Sequence, residues 1–133
     1  DDLWKFDGSD WKQLRDIANN DSDEDYDDDY AITRAGTVSF VIDGRGYIAT
    51  GTRSGVTSDY WVYDPEEDLW YGDSDDDYTP MTNVHNVSSG GSSRSYAVSF
   101  STGKRGFVLS GSSGTSYFDD VYELLPYEQE DVD

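Results

Sequence analysis

Apolar and polar side chains alternate in several short runs along the chain. In TVSFVI (37–42), Val38, Phe40 and Ile42 fall to one side and Thr37, Ser39 and Val41 to the other, the period of a half-buried strand. Asp43-Gly44 follows, a pair suited to the positive φ angles of a tight hairpin turn. GYIATG (46–51) then predicts the returning strand, YWVYD (60–64) a third strand ended by a turn at Pro65, and LWYG (69–72) a fourth. The pattern predicts a four-stranded antiparallel sheet over 37–72, with Phe40, Tyr47, Trp61 and Trp70 in its core.

The same pattern recurs. Residues 34–51 read RAGTVSFVIDGRGYIATG and residues 94–111 read RSYAVSFSTGKRGFVLSG, aligned without a gap. Arg34/Arg94, Val38/Val98, Ser39/Ser99, Phe40/Phe100, Arg45/Arg105, Gly46/Gly106 and Gly51/Gly111 are identical pairs. A second element occurs as DLWKFD (2–7), DYWVYDP (59–65) and DVYELLP (120–126), and Trp11 and Trp70 follow its first two copies. A period of about 60 residues with four strands per unit predicts tandem blades of antiparallel sheet. Phe100 and Phe107 are expected to superpose on Phe40 and Tyr47, and Trp4 and Trp11 to take the core positions of Trp61 and Trp70.

An Arg before the first strand, a glycine ending the second, an aromatic pair with Asp in the third and a Trp in the fourth resemble Kelch repeats of the bacterial style. The usual double glycine of that family is here Thr50-Gly51 and Ser110-Gly111. The resemblance covers roughly residues 1–15, 34–71 and 94–126, and implies an all-β, Kelch-like β-propeller with incomplete blades at both ends. The expected division is a C-terminal half-blade (1–15), an acidic loop (16–33), a complete blade (34–72), an acidic and Ser/Gly-rich loop (73–93), a partial blade (94–126) and an acidic tail (127–133). Closed propellers hold about four to eight blades, and these repeats make just over two. The chain, opening on Asp1, is therefore expected either to belong to a longer polypeptide or to complete its sheets with other copies.

Composition supports strands joined by turns, with 11 Tyr, 5 Phe, 4 Trp and 13 Gly. Cysteine is absent, which excludes disulfides and thiolate metal sites. The copper–radical oxidases of Kelch architecture need a Cys and several His, whereas this chain has one histidine, His85 in a Ser/Gly/Asn-rich loop. No enzymatic constellation is visible, and a non-enzymatic module is expected. Repeat-locked aromatics read as core rather than as sugar-stacking platforms, and Arg34 and Arg94 as donors of hydrogen bonds between blades.

Charge changes the picture of the loops more than of the strands. The formal net charge is −20, which argues against nucleic acid as a partner. Sixteen of the 29 acids lie in residues 16–30, 73–77 and 128–133. Asp21, Asp23, Asp25 and Asp27 alternate, as do Asp73, Asp75 and Asp77, a spacing of oxygen ligands that suits Ca²⁺. The EF-hand glycine is missing, since Tyr26 takes the sixth position, and a solvated charge run is the competing reading. Asn20 and Asn86 sit in glycosylation sequons. No apolar run is long enough to span a membrane. These features together predict an extracellular or cell-surface structural module that assembles through incomplete blades into a ring or fibre. The alternative is a carbohydrate- or protein-binding fragment of a longer propeller.

Overall fold

β-branched and aromatic side chains on alternate positions favour extended backbone because each has a face to pack against. The computed structural model describes residues 2–14, 32–72 and 93–124, and none of them is helical. β1 (Trp4–Phe6) and β2 (Trp11–Gln13) form a hairpin. β3 (Val38–Ile42), β4 (Arg45–Thr52), β5 (Val56–Asp64) and β6 (Leu69–Gly72) form a four-stranded antiparallel sheet in sequence order. β7 (Val98–Ser101), β8 (Gly106–Leu109) and β9 (Val121–Leu124) form a third sheet of the same sense.

Turn chemistry sets the registers. Asp43 and Gly44 both take positive φ, 50° and 79°, and Ile42 pairs with Arg45, the arrangement of a type I′ turn. One repeat later Gly103 alone is positive, at 88°, and Thr102 N–H donates to Arg105 O at 2.9 Å. The second turn thus belongs to the II′ family, with glycine at its first central position. β5 starts at Val56, earlier than its aromatic run implies, because a β-bulge between Ala49 and Gly51 lets β4 keep its pairing out to Thr52–Val56. A bulge sets two residues of one strand against one of its partner, here Ser58 and Asp59 of β5 against Thr50 of β4.

Pairing sorts each sheet into two faces. Val38, Phe40 and Ile42 share the inner face of the middle sheet with Tyr47, Ala49, Tyr60 and Val62, and this face is buried against Val108 and Leu124 of the third sheet. Gly106 makes the approach possible. A Cβ there would lie 2.4 Å from Phe40 Cε2, so the Phe40 ring fills the place of the missing side chain. Hydrogen bonds pin the two sheets: Ser99 Oγ–H donates to Ser39 O at 2.9 Å, Asp43 N–H to Gly103 O at 2.8 Å and Arg94 N–H to Thr57 O at 3.1 Å.

Several expected core positions differ. Trp4 and Trp11 are exposed, Trp11 at 66%, because the β1–β2 hairpin has two strands among the described residues and no sheet stacked over its rings. Trp61 is half-buried, whereas Tyr47 and Trp70 are buried. In the third sheet Phe107 is half-buried, and Phe100 is 51% exposed against 7% for its equivalent Phe40. The difference is one of neighbours. The inner face of the middle sheet meets another sheet; the corresponding outer face of the third sheet meets none among the described residues.

Candidate functional site

Arginine is tolerated in an interior only when its fork of donors is matched. Both repeat-locked arginines meet that condition in the same way. Arg34 Nη2–H donates to Asp59 Oδ2 at 3.0 Å, Nη1–H to Asp59 Oδ1 and to Thr50 O at 3.1 Å, and Nε–H to Ile32 O at 3.0 Å. Arg94 Nη2–H donates to Asp120 Oδ2 at 2.9 Å, and Nη1–H to Asp120 Oδ1 and to Ser110 O at 2.8 Å. The Arg94 guanidinium also lies 4.5 Å from the Phe118 ring centroid and 5.2 Å from that of Tyr122. The arginine side chains are almost wholly buried and the aspartates about one-third exposed.

For each arginine one receiving carbonyl belongs to a strained residue. Thr50 and Ser110 have φ of 61° and 57°, in the left-handed region that glycine adopts freely and a β-branched residue rarely does. The glycines that follow, Gly51 and Gly111, have φ of 102° and 93°, and a Cβ on either would lie 2.8 Å from Ala35 O or 2.9 Å from Ser95 O. The Thr-Gly and Ser-Gly pairs therefore hold the conformation of a double glycine and turn one carbonyl onto each guanidinium. The bonds from Arg34 to Asp59 and Thr50 O, and from Arg94 to Asp120 and Ser110 O, lie within a repeat. The Arg94 backbone adds a link between repeats, with Gly51 N–H donating to Arg94 O at 2.7 Å.

Electrostatics follows from these contacts. Burial alone would raise the Asp59 pKa, but hydrogen bonds from Arg34 and from Thr57 outweigh it and hold the carboxyl below its usual range. Arg94 does the same for Asp120 through its hydrogen bonds, against a smaller effect of burial. Burial, then the bond from Tyr63 O–H to Asp68 Oδ1 at 2.7 Å, pushes the Tyr63 phenol up.

Two clefts flank Arg34. A polar one of about 270 Å³ is lined by Arg34, Arg53, Ser54, Thr57 and Asp59. A more apolar one of about 400 Å³ opens between the hairpin and the middle sheet, against Leu3, Thr33, Ile48 and Trp70. Trp70 Nε1 is buried without a hydrogen-bond partner among the described residues. The third feature is the outer face of the third sheet, where Val98, Phe100 and Val121 are exposed beside half-buried Phe107 and Leu109.

The sequence-predicted cation ligands Asp21, Asp23, Asp25, Asp27, Asp73, Asp75 and Asp77 lie outside the described residues, as do Asn20, His85 and Asn86. Among the described residues no group of three or more His, Cys, Asp or Glu gathers as a metal site. No helix among them is long and apolar enough to cross a membrane. The pairing of Arg34 with Asp59 and of Arg94 with Asp120 was missed, although both aspartates open the recurring third-strand element and so repeat in step with the arginines. Neither protein-family models nor curated proteins match the chain.

Proposed function

We propose that this chain is a non-enzymatic assembly module built from Kelch-like, propeller-type blades, working outside the cell. The observation that carries the reading is the outer face of the third sheet. Val38 and Phe40 are 4% and 7% exposed, while their repeat equivalents Val98 and Phe100 are 60% and 51% exposed. One sequence pattern thus presents the same apolar face twice, and in the second copy it is open to solvent. A contiguous apolar surface of this kind marks an association site. The recurring polar residues are compatible with the same reading, because each Arg–Asp pair braces its own repeat. Sedimentation of the purified chain over a range of concentrations tests the proposal. Concentration-dependent oligomers are expected, and a folded monomer throughout would overturn it.

A second reading, a small-ligand module, is favoured by the cleft of about 400 Å³ beside Trp70. An indole N–H buried without a partner is a donor that a ligand oxygen can satisfy if the hairpin opens. Titration with neutral oligosaccharides, followed by tryptophan fluorescence, tests it. Saturable quenching supports binding at the cleft, and a flat response removes this reading.

A further inference from the structure

The interface between the middle and third sheets is a template for what covers the open face. Its near side on the third sheet consists of Gly106, Val108, Tyr122 and Leu124, which the β8–β9 register places on one face. The middle sheet carries the matching set on its own outer face: Gly46, Ile48, Trp61 and Tyr63. Gly106 is buried beneath the Phe40 ring, whereas a Cβ at Gly46 would meet only Tyr63 Cβ, at 3.8 Å. Val41, on the same face, is 50% exposed. Among the described residues there is therefore an aromatic knob with no hollow, Phe100, and a glycine hollow with no knob, Gly46.

We propose, building on the assembly reading, that the outer face of the third sheet of one copy docks on the outer face of the middle sheet of a second copy, with Phe100 seated over Gly46. The contact continues the existing sheet-on-sheet interface by one repeat step. It also has a polar match. Ser99 Oγ–H donates to Ser39 O inside the molecule, and Ser39 occupies the place of Ser99 in its own repeat, so it can donate to Ser99 O of the docked copy. The incoming β9 and the hairpin of the receiving copy claim the same ground. The hairpin, exposed at every residue of both strands, is the element that yields. Two different faces meet in this contact, so it is heterologous, and each copy keeps one free knob and one free hollow.

Two variants of the full chain test it. Phe100→Lys removes the knob and keeps the hollow, and Gly46→Val fills the hollow and keeps the knob. Gly46 lies outside the left-handed region and a Cβ there would make only a van der Waals contact with Tyr63 Cβ at 3.8 Å, so both substitutions are compatible with the fold, as circular dichroism and melting check. If Gly46→Val loses its fold, Val41→Lys on the same face replaces it. Each variant alone is expected to weaken self-association about tenfold or more. Mixed in equal amounts, they are expected to form a one-to-one dimer that grows no further, because one intact knob meets one intact hollow. Two results overturn the docking geometry while leaving the assembly reading intact: a variant that associates like the parent chain, or a mixture that stays monomeric although the parent associates. A parent chain that is itself monomeric overturns both.

Discussion

Arg94 buries a full positive charge with no exposed side-chain surface, and such a group depends on Asp120 for its counter-charge. Removing one partner of a buried pair leaves the other uncompensated and typically costs 3–5 kcal/mol. Asp120→Ala is expected to cost about 3 kcal/mol, the low end, because the aspartate is one-third exposed and partly screened; urea denaturation measures it. The pH dependence has a defined sign. Both aspartates have folded pKa values below the unfolded value of about 3.9. Their stabilisation is therefore complete above that value and is lost as pH falls through the folded pKa. Acidification also relieves the repulsion of a chain at −20, which acts in the opposite direction. The informative measurement is thus the difference between parent and Asp120→Ala, which should shrink below about pH 4. A separate residue-scale effect belongs to Ser110, exposed and at φ 57°. Glycine there removes left-handed strain at some cost in unfolded-chain entropy, and Ser110→Gly is expected to stabilise by about 1 kcal/mol in the same assay.

At the scale of elements, the two repeats form an internal control. Phe40→Ala should cost about 3–5 kcal/mol as a core truncation. Phe100→Ala, in the same pattern one repeat later, should cost less than about 1 kcal/mol in the monomer. The glycines give the converse test. Gly106→Ala presses a methyl group into the Phe40 ring, which is itself stacked on Tyr47 at 5.8 Å between centroids, and should destabilise by about 1–3 kcal/mol. Gly46→Ala meets only Tyr63 Cβ, at a van der Waals distance of 3.8 Å, and should be neutral or slightly stabilising. Equal effects at the two glycines would show that the sheets are stacked differently. The strands themselves were legible in the sequence, because alternation at Val38, Phe40 and Ile42 and the Asp43-Gly44 turn are local signals. The exposure of Phe100, Trp4 and Trp11 was not. Alternation says which residues share a face, and only the neighbouring sheet decides whether that face is covered. The strained Thr50 and Ser110 were illegible for a related reason. Propensity disfavours them at positive φ, and the arginine that bonds each carbonyl comes from elsewhere in the repeat.

At the scale of the molecule, charge and apolar surface act against each other. The acidic stretches 16–30, 73–77 and 128–133 hold 16 of the 29 acids and lie outside the described sheets. Copies that approach through an apolar sheet face therefore bring these like-charged stretches with them. Salt shortens the reach of that repulsion from about 30 Å at 0.01 M to about 3 Å at 1 M, while burial of Val98, Phe100 and Val121 remains favourable. Association is therefore expected to tighten as salt rises, the reverse of an interface held by ion pairs. Assembly favours the folded state by mass action, so the melting temperature should rise with protein concentration, and more steeply in high salt than in low. Phe100→Lys, which lacks the knob and places a charge on the face, should show a markedly shallower dependence of melting temperature on concentration. Scanning calorimetry of both proteins over a hundredfold range of concentration, at low and high salt, measures all of these slopes. A parent slope that flattens as salt is added would place the contact on charged groups, because only charge–charge attraction weakens under screening, and the apolar face of the third sheet would then have no part in holding copies together.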